Sequence, residues 1–411
     1  MIYTKYIKFL ESIQTKDMWD VIPESVKTLH NLFQSKGKKL YLVGGSVRDF
    51  LTGDKPKDFD LATDALPDEV LNIIGRSYRT NLQGKAFGVV VVYTDDQPGG
   101  MEIATFREDV SRGRNPQVKL GVGIEDDVKR RDLTYNALFY DLDKREIVDL
   151  VGGIKDLESG ITRMVGDAIE RFEEDSLRIL RAFRFASRYN HPLHPDTEKA
   201  IQKRKQLENI DPETGKMKRI SAERIWEEIT KAWKQAKDFN YYLNFFTKYD
   251  MWGEVFPGSK INTNLVDSKD FAVVIANLFK EDTTEKGGFH NPNDLYNKLV
   301  QEYKMPDSPE SGKLVSNVVF LYKIEMWHAK ITVLTNKRVD ITEMYKSKVQ
   351  SSISDATILE WLKVQNINDD DIIRFIDYKP SVSSKELMDK GFKGKALGDE
   401  IKRLENEKFY S

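Results

Sequence analysis

Apolar and polar positions alternate in short runs along the first third of the chain. The segments KLYLVGG (39–45), FDLAT (59–63), FGVVVVYT (87–94), GMEIATF (100–106) and NALFYDL (136–142) are rich in β-branched and aromatic residues and predict strands. Between them the period lengthens. ESVKTLHNLFQSKG predicts a helix closed by Gly37, and PDEVLNIIG (67–75) carries Pro at its start and Gly at its stop, as a helix does. Residues 1–150 therefore read as α+β. After Gly153 the pattern turns helical. EEDSLRILRAFRFASRYN sets Leu177, Ile179, Leu180, Phe183 and Phe185 near the helical period, and SAERIWEEITKAWKQAKDFNYYLNFF continues it. KEDTTEKGGFHNPND (280–294) predicts a loop. The sequence holds no internal repeat, and beyond about residue 250 it predicts a helical domain and nothing more specific.

A chain of 411 residues has room for about two to four domains. Its 64 basic and 66 acidic side chains leave a net charge of −2, which argues against coating nucleic acid by bulk charge but leaves local basic patches open. The absence of cysteine excludes disulfides, thiolate metal sites and a Cys nucleophile. The five histidines are scattered and form no HExxH pattern. The N-terminal MIYTKYIKFLESIQTKD lacks a signal-peptide core, and no run approaches a membrane span. The expectation is a cytoplasmic protein with no membrane partner and no obligatory protein partner.

The chemistry concentrates in LVGGSVRDFLTGDKPKDFDLATD (42–64). Asp58 and Asp60, two residues apart, leave one face of an extended segment. Paired carboxylates of this kind suit Mg²⁺, which takes one or two carboxylates plus substrate phosphates. Gly44 and Gly45 let a triphosphate approach the backbone at a helix start, with Arg48 in reach of its phosphates. A tight turn followed by a solvated acidic loop is the competing explanation. Glu102, between the apolar Met101 and Ile103, is the candidate third acid, and an edge-strand acid facing water is the alternative. In DVKRRDLTYNALFYD (127–141), a guanidinium of Arg130 or Arg131 held by neighbouring Asp132 would fix a phosphate or ribose, with a solvated turn as the alternative, and Asp132 and Asn136 join the candidate nucleotide contacts. On a helix, Asp175, Arg178, Arg181 and Arg184 form one polar ridge, with an exposed charged stripe as the alternative. Arg181 and Arg184 suit triphosphate oxygens. Cytosine and adenine each present an amine donor beside a ring-nitrogen acceptor, so Asp175 can accept from the amine while Arg178 donates. Uracil and guanine invert that order.

These motifs, with EIATFRED, DLVGGIKDL (149–157) and ISAERIWEEI (220–229), resemble the class II tRNA nucleotidyltransferase/poly(A) polymerase family over roughly residues 40–230. The resemblance implies a polymerase-beta-like nucleotidyltransferase head with a mixed sheet (1–150), a helical neck that recognises the base (151–235) and a helical body and tail that bind tRNA (236–411). It implies metal-dependent addition of nucleotides to an RNA 3′ end. Asp58 and Asp60 match the metal carboxylates, for two Mg²⁺ ions, and Arg131 matches the arginine on the incoming nucleotide. Asp175 and Arg178 match the pair that reads its base. Leu133, Tyr135 and Ser176 depart from the family's usual Phe, Ile and Pro, at packing and cap positions.

Within the family the expected activity is addition of C, C and A to the 3′ end of tRNA, from CTP and ATP, with contacts to the acceptor arm. The poly(A) polymerases of the family carry a basic pair before a Phe and a His or Gln later in the strand. GKAFGVVVV (84–92) has one basic residue and a Val there. REDVSRGRNPQVKLG (107–121) is long enough for the flexible loop that the family links to the switch from C to A, which favours full CCA addition over a CC-only or A-only enzyme. A non-catalytic RNA-binding protein would not need Asp58, Asp60 and Glu102, and an antibiotic nucleotidyltransferase would not need Asp175 and Arg178. KRK (203–205) and KMKR (216–219) are candidate phosphate contacts, with a solvated helix end or loop as the alternative.

Overall fold

A computed structural model describes residues 17–110, 117–211, 214–281, 292–308, 312–333 and 338–411, with backbone alone at 292 and 330–333. Residues 1–16, 111–116 and 282–291, which carry most of the N-terminal segment, the centre of the expected flexible loop and most of the expected 280–294 loop, lie outside this set. The chain forms two compact units: residues 1–220 with 228–245, and residues 221–227 with 246–411. The residues assigned to the head, and those assigned to the neck apart from 221–227, fall in the first unit.

The first unit is built on a seven-stranded sheet. Its strands are β1 Leu40–Val43, β2 Asp60–Thr63, β3 Arg79–Asn81, β4 Val89–Thr94, β5 Gln97–Thr105, β8 Phe139–Asp141 and β9 Glu146–Val148, in the order β3-β4-β5-β2-β1-β8-β9. β6 Arg107–Asp109 and β7 Val118–Leu120 form a separate ribbon. β2 and β5 run parallel, and the other sheet neighbours are antiparallel. Strand alternation makes two cores. Leu40 and Leu42 join Leu61, Val90, Val92, Met101 and Ile103 on one face. Tyr41 and Val43 join Ala62, Phe106, Phe139 and Val165 on the other.

The first face is covered by α1 Glu24–Ser35, which buries Val26, Leu29 and Phe33 and ends with Gly37 at φ 68°. α2 Gly45–Leu51 follows β1, and α3 Pro67–Ile74 stops at Gly75 with φ 61°. α4 Ile124–Lys129, α5 Gly153–Glu158, α6 Ala168–Glu174, α7 Leu177–Tyr189, α8 Pro195–Lys203, α9 Ala222–Gln235 and α10 Phe239–Lys248 complete the helices that concern this unit.

The mixed head sheet followed by helices agrees with the sequence reading, with local differences. The NALFYDL strand shrinks to Phe139–Asp141 because Thr134–Asn136 coils into a 3₁₀ turn. The run from Ser221 to Phe246 breaks into two helices where the Asp238 carboxylate caps the Asn240 N–H at 2.9 Å. The region after 150 is not wholly helical: β10 Glu208–Ile210 pairs with β11 Met217–Arg219. That ribbon is anchored by buried Leu207 and Ile220, joined by an N–H to C=O bond of 2.8 Å. Of the two basic clusters, KRK falls at the end of α8 and KMKR on β11.

The second unit is helical in its described residues. Phe271–Leu278 packs on Leu314–Val333, with the Tyr322 hydroxyl donating to the Ala276 carbonyl at 3.0 Å. Its interior is aromatic, including Trp327 against Phe375 and Tyr378 against Phe409. No described helix is long and apolar enough to cross a membrane.

Candidate active site

The site begins where β1 ends. Gly44 has φ 65° and ψ −115°, a combination that L side chains rarely adopt. Its N–H donates to the Leu138 carbonyl at 3.0 Å, which folds the chain back into α2. A Cβ at Gly44 would stand 3.5 Å from the Asn136 carbonyl and 4.0 Å from Arg131 Nη1. The turn therefore abuts the segment that carries Arg131 and Asn136.

Asp60 opens β2, opposite Val43. Asp58 lies on the lead-in rather than in the strand, but the alternation holds, because Phe59 and Leu61 are both buried in the first core. Glu102 projects from β5 between buried Met101 and Ile103, as expected, and Ile103 pairs with Leu61 on the parallel neighbour. The Glu102 N–H donates to the Asp60 carboxylate. Crowding by protein pushes the Asp60 carboxyl up to about 6, helped by the charges of Glu102 and Asp58 and opposed by Arg131. Three exposed carboxylates thus lie near one another, their repulsion offset only in part by Arg131 and the Glu102 N–H. A divalent cation would relieve that repulsion, and the all-oxygen donor set suits Mg²⁺. Among the described residues no three His, Asp or Glu side chains close into a metal cage by themselves. The donors fit an ion completed by substrate phosphates.

Arg131 stands beside this acid cluster. Buried Asp127, which the sequence reading did not single out, grips it at 2.9 and 3.1 Å and also pairs with Arg130 at 2.8 Å. The Phe139 ring lies 4.6 Å below the Arg131 guanidinium. Two bonds to one carboxylate and a ring underneath fix the guanidinium plane.

Arg48 is not a side chain reaching out to phosphate. It is 4% exposed, donates to Asn136 Oδ1, pairs with Asp49 at 2.7 Å and lies over Phe185 at 5.0 Å. It braces the glycine turn from behind. Asn136 in turn donates to Asp132 at 3.3 Å. Asp132 takes Arg181 at 2.5 and 2.6 Å and the Leu133 N–H at 2.7 Å. Burial alone would raise the Asp132 carboxyl, but Arg181, that N–H and Arg178 outweigh it and hold the group well below the usual carboxylate range.

The expected ridge of one acid and three arginines divides. Asp175 is not on the helix. It is the C-cap of α6, extended at φ −152°, and α7 begins two residues later at Leu177. Its Oδ1 accepts from the Leu177 N–H at 3.2 Å and from the Asn209 amide at 2.9 Å. Arg178 pairs with Glu174 and donates to the Arg130 carbonyl at 2.8 Å. Arg184 does not face a triphosphate. It is 5% exposed, bonded to Glu228 at 2.7 Å and Gln235 at 2.8 Å, with Phe185 4.2 Å away. The helical period brought it inward, where a buried acid on α9 receives it.

The structure therefore gathers Gly44, Gly45, Asp58, Asp60, Glu102 and Arg131 at one end of the sheet. Asp132, Asn136 and Arg181 connect that end to α7. Asp49, Asp127, Asn209 and Glu228 were missed. Asp127 had a signal in its i, i+4 spacing to Arg131, and Asp49 sits next to its partner Arg48; Asn209 and Glu228 meet their partners across long stretches of chain.

Comparison with known proteins bears on this arrangement. The family described as Poly A polymerase head domain matches residues 40–163. The CCA-adding enzyme of Ligilactobacillus salivarius is 31% identical over 399 residues, 90% of this chain and 88% of that protein. Poly(A) polymerase I of Salmonella typhi is 32% identical over 282 residues, 64% of this chain, and the chain spans only 56% of its length. Among solved structures, the Thermotoga maritima CCA-adding enzyme complexed with tRNA superimposes with a TM-score of 0.61 at 18% identity, over 95% of this chain and 93% of that one.

Proposed function

This chain belongs to the family of CCA-adding enzymes and poly(A) polymerases, and from that premise we propose that it adds C, C and A to the 3′ end of tRNA from CTP and ATP without a nucleic-acid template. The observation that carries the catalytic part is the convergence of Asp58, Asp60 and Glu102 beside the Gly44 turn and Arg131. The choice of CCA addition over polyadenylation is supported by similarity to a CCA-adding enzyme across nearly the whole chain. It is supported also by Val89–Thr94, which offers no polar side chain before Tyr93 where the poly(A) enzymes are expected to carry one.

Asp58 and Asp60 would hold Mg²⁺, two ions on this reading, with Glu102 as the third acid. Bound there, the metal would lower the pKa of the RNA 3′ hydroxyl and offset charge on the triphosphate. The turn at Gly44 and Gly45 presents backbone without side chains to the phosphates. Arg131, its plane set by Asp127 and Phe139, contacts the nucleotide. Asp175 accepts from the exocyclic amine of cytosine or adenine, and Arg178 donates to the ring nitrogen beside it. The helical residues 236–411 hold tRNA by backbone and shape, since duplex RNA hides its base edges in a deep major groove. A cytoplasmic location is part of this reading.

The test is incubation with tRNA lacking its 3′ end, Mg²⁺ and each labelled nucleotide alone and in pairs. Two C additions, then one A and arrest, is the expected result. Long A tails on unrelated RNA would replace this reading with poly(A) polymerase. C alone or A alone would mark a partial enzyme, and no incorporation at all would leave an RNA-binding protein.

A further inference from the structure

Asp175 lies outside any helix, at an extended C-cap, so helix geometry does not aim its carboxylate. The β10–β11 ribbon supplies what the helix does not. Asn209, at the centre of β10 and paired with Lys218, reaches back to the α6–α7 junction. Its Oδ1 accepts from the Ser176 N–H at 2.8 Å, and its Nδ2 donates to Asp175 Oδ1 at 2.9 Å. An N–H on one side and a carboxylate on the other fix which end of the amide is oxygen. The ribbon itself is pinned by Leu207 and Ile220, both buried.

We propose that Asn209 is a specificity-determining positioning residue, which aims the Asp175 carboxylate at the base of the incoming nucleotide. The proposal rests on the reading of Asp175 as the base acceptor. The side chain required is narrow. Aspartate has the same shape and keeps the bond to Ser176, but sets a second carboxylate against Asp175. Serine is too short to span both partners. Loss of a hydrogen bond to a charged group typically changes an equilibrium about 10-fold or more, so the cost should fall on discrimination among bases.

The experiment measures single-nucleotide incorporation with all four nucleoside triphosphates on full-length wild type, Asn209→Asp, Asn209→Ser, Asp175→Ala and the double variant Asp175→Ala/Asn209→Asp. Thermal melting is recorded alongside. The expected result is that both Asn209 variants lower the preference for CTP and ATP over UTP and GTP about 10-fold, through KM more than kcat. In the Asp175→Ala background, Asn209→Asp should change the preference no further. If Asp175→Ala loses the preference while both Asn209 variants keep it, the Asn209 assignment alone falls. If the two effects simply add in the double variant, Asn209 acts on general folding and the assignment likewise falls. Unchanged preference in Asp175→Ala overturns the base-reader reading and this proposal with it. Should Asn209→Asp fail to fold, Asn209→Ser decides by the same criteria.

Discussion

Replacing Asp60 with Asn should inactivate the protein and, without metal, make it more stable. Asn keeps the shape and removes the charge. The Asp60 carboxyl is raised to about 6, first by surrounding protein and then by Glu102 and Asp58, against about 3.9 in an unfolded chain. The sign follows. Above pH 6 the folded state carries an ionised Asp60 that the unfolded chain tolerates better, so the charge destabilises the fold. As pH falls from about 6 towards 4 the folded state takes up the proton first, and the penalty fades. At face value, about two pH units amount to roughly 3 kcal/mol. The carboxylate is open to water, and screening cuts that to about 1 kcal/mol. For a unit of this size, 1 kcal/mol is about 2–4 °C in Tm. Calorimetry in EDTA should therefore show Asp60→Asn melting a few degrees above wild type at pH 8 and level with it near pH 4. Added Mg²⁺ should raise the wild-type Tm more than that of the variant. Nucleotide incorporation should fall about 10²-fold or more, as for loss of an electrostatic anchor in a transition state. A variant less stable than wild type at pH 8 without metal would refute a net cost of the ionised Asp60 to the fold, and near-normal incorporation would remove Asp60 from the metal site.

Three further outcomes follow from other parts of the molecule. Glu228→Ala should lower stability by about 3 kcal/mol, because it leaves the buried Arg184 charge without its acid; urea melts check this, and a change under 1 kcal/mol would mean that Arg184 finds water. Gly153→Ala should misfold or strongly destabilise the first unit, since a Cβ there would sit 2.2 Å from the Thr134 carbonyl oxygen; an unchanged Tm would contradict that backbone approach. A chain ending at Lys248 keeps α10, whose Phe245 stacks on Phe183 at 4.7 Å, and should fold yet bind tRNA weakly; undiminished, salt-dependent affinity in filter binding would move the tRNA contacts into the first unit.

The strands were legible because runs of β-branched and aromatic residues mark them: β1, β2 and β4 fall within the predicted segments, and β5 overlaps its segment but starts earlier, at Gln97. Helix ends at Gly37 and Gly75 were legible because a positive φ asks for glycine. What escaped was decided at long range. The ribbon at 208–219 has three-residue strands, too short to show a period, and owes its place to Leu207 and Ile220 in the core. The ridge on α7 failed for a related reason. A three-residue repeat of arginine on a helix cannot tell an exposed face from a buried one when acids on another element wait to meet it. Asp132 and Glu228 were those acids, 49 and 44 residues distant from Arg181 and Arg184. The closeness of Asp58, Asp60, Glu102 and Arg131 was an expectation the sequence could carry, because polar groups at strand ends and in apolar runs need a reason to be there.

One chain of polar contacts runs from Asp49 through Arg48, Asn136, Asp132 and Arg181 to Glu228 and Arg184. Its members come from α2, the segment 132–136, α7 and α9, so it ties the glycine turn to the helix that follows Asp175. Buried ionic links of this kind contribute little net stability, because desolvation offsets most of the attraction. What they impose is geometry: each charge must meet its partner, and a shifted helix would leave several unpaired at once. On the proposed reading that is the property the chemistry requires. An enzyme that selects bases with side chains has no template strand to set the distance between the base and the attacked phosphate. The distance must come from the protein, and apolar packing alone would let α7 slide by a fraction of a turn at small cost. Arg181, held by Asp132 on one side and near Glu228 on the other, fixes α7 against the segment that carries Arg131. Exchanging Asp132 and Arg181 for a matched apolar pair should then leave the Tm within a few degrees while blurring base choice, whereas loss of either charge alone should cost stability as well.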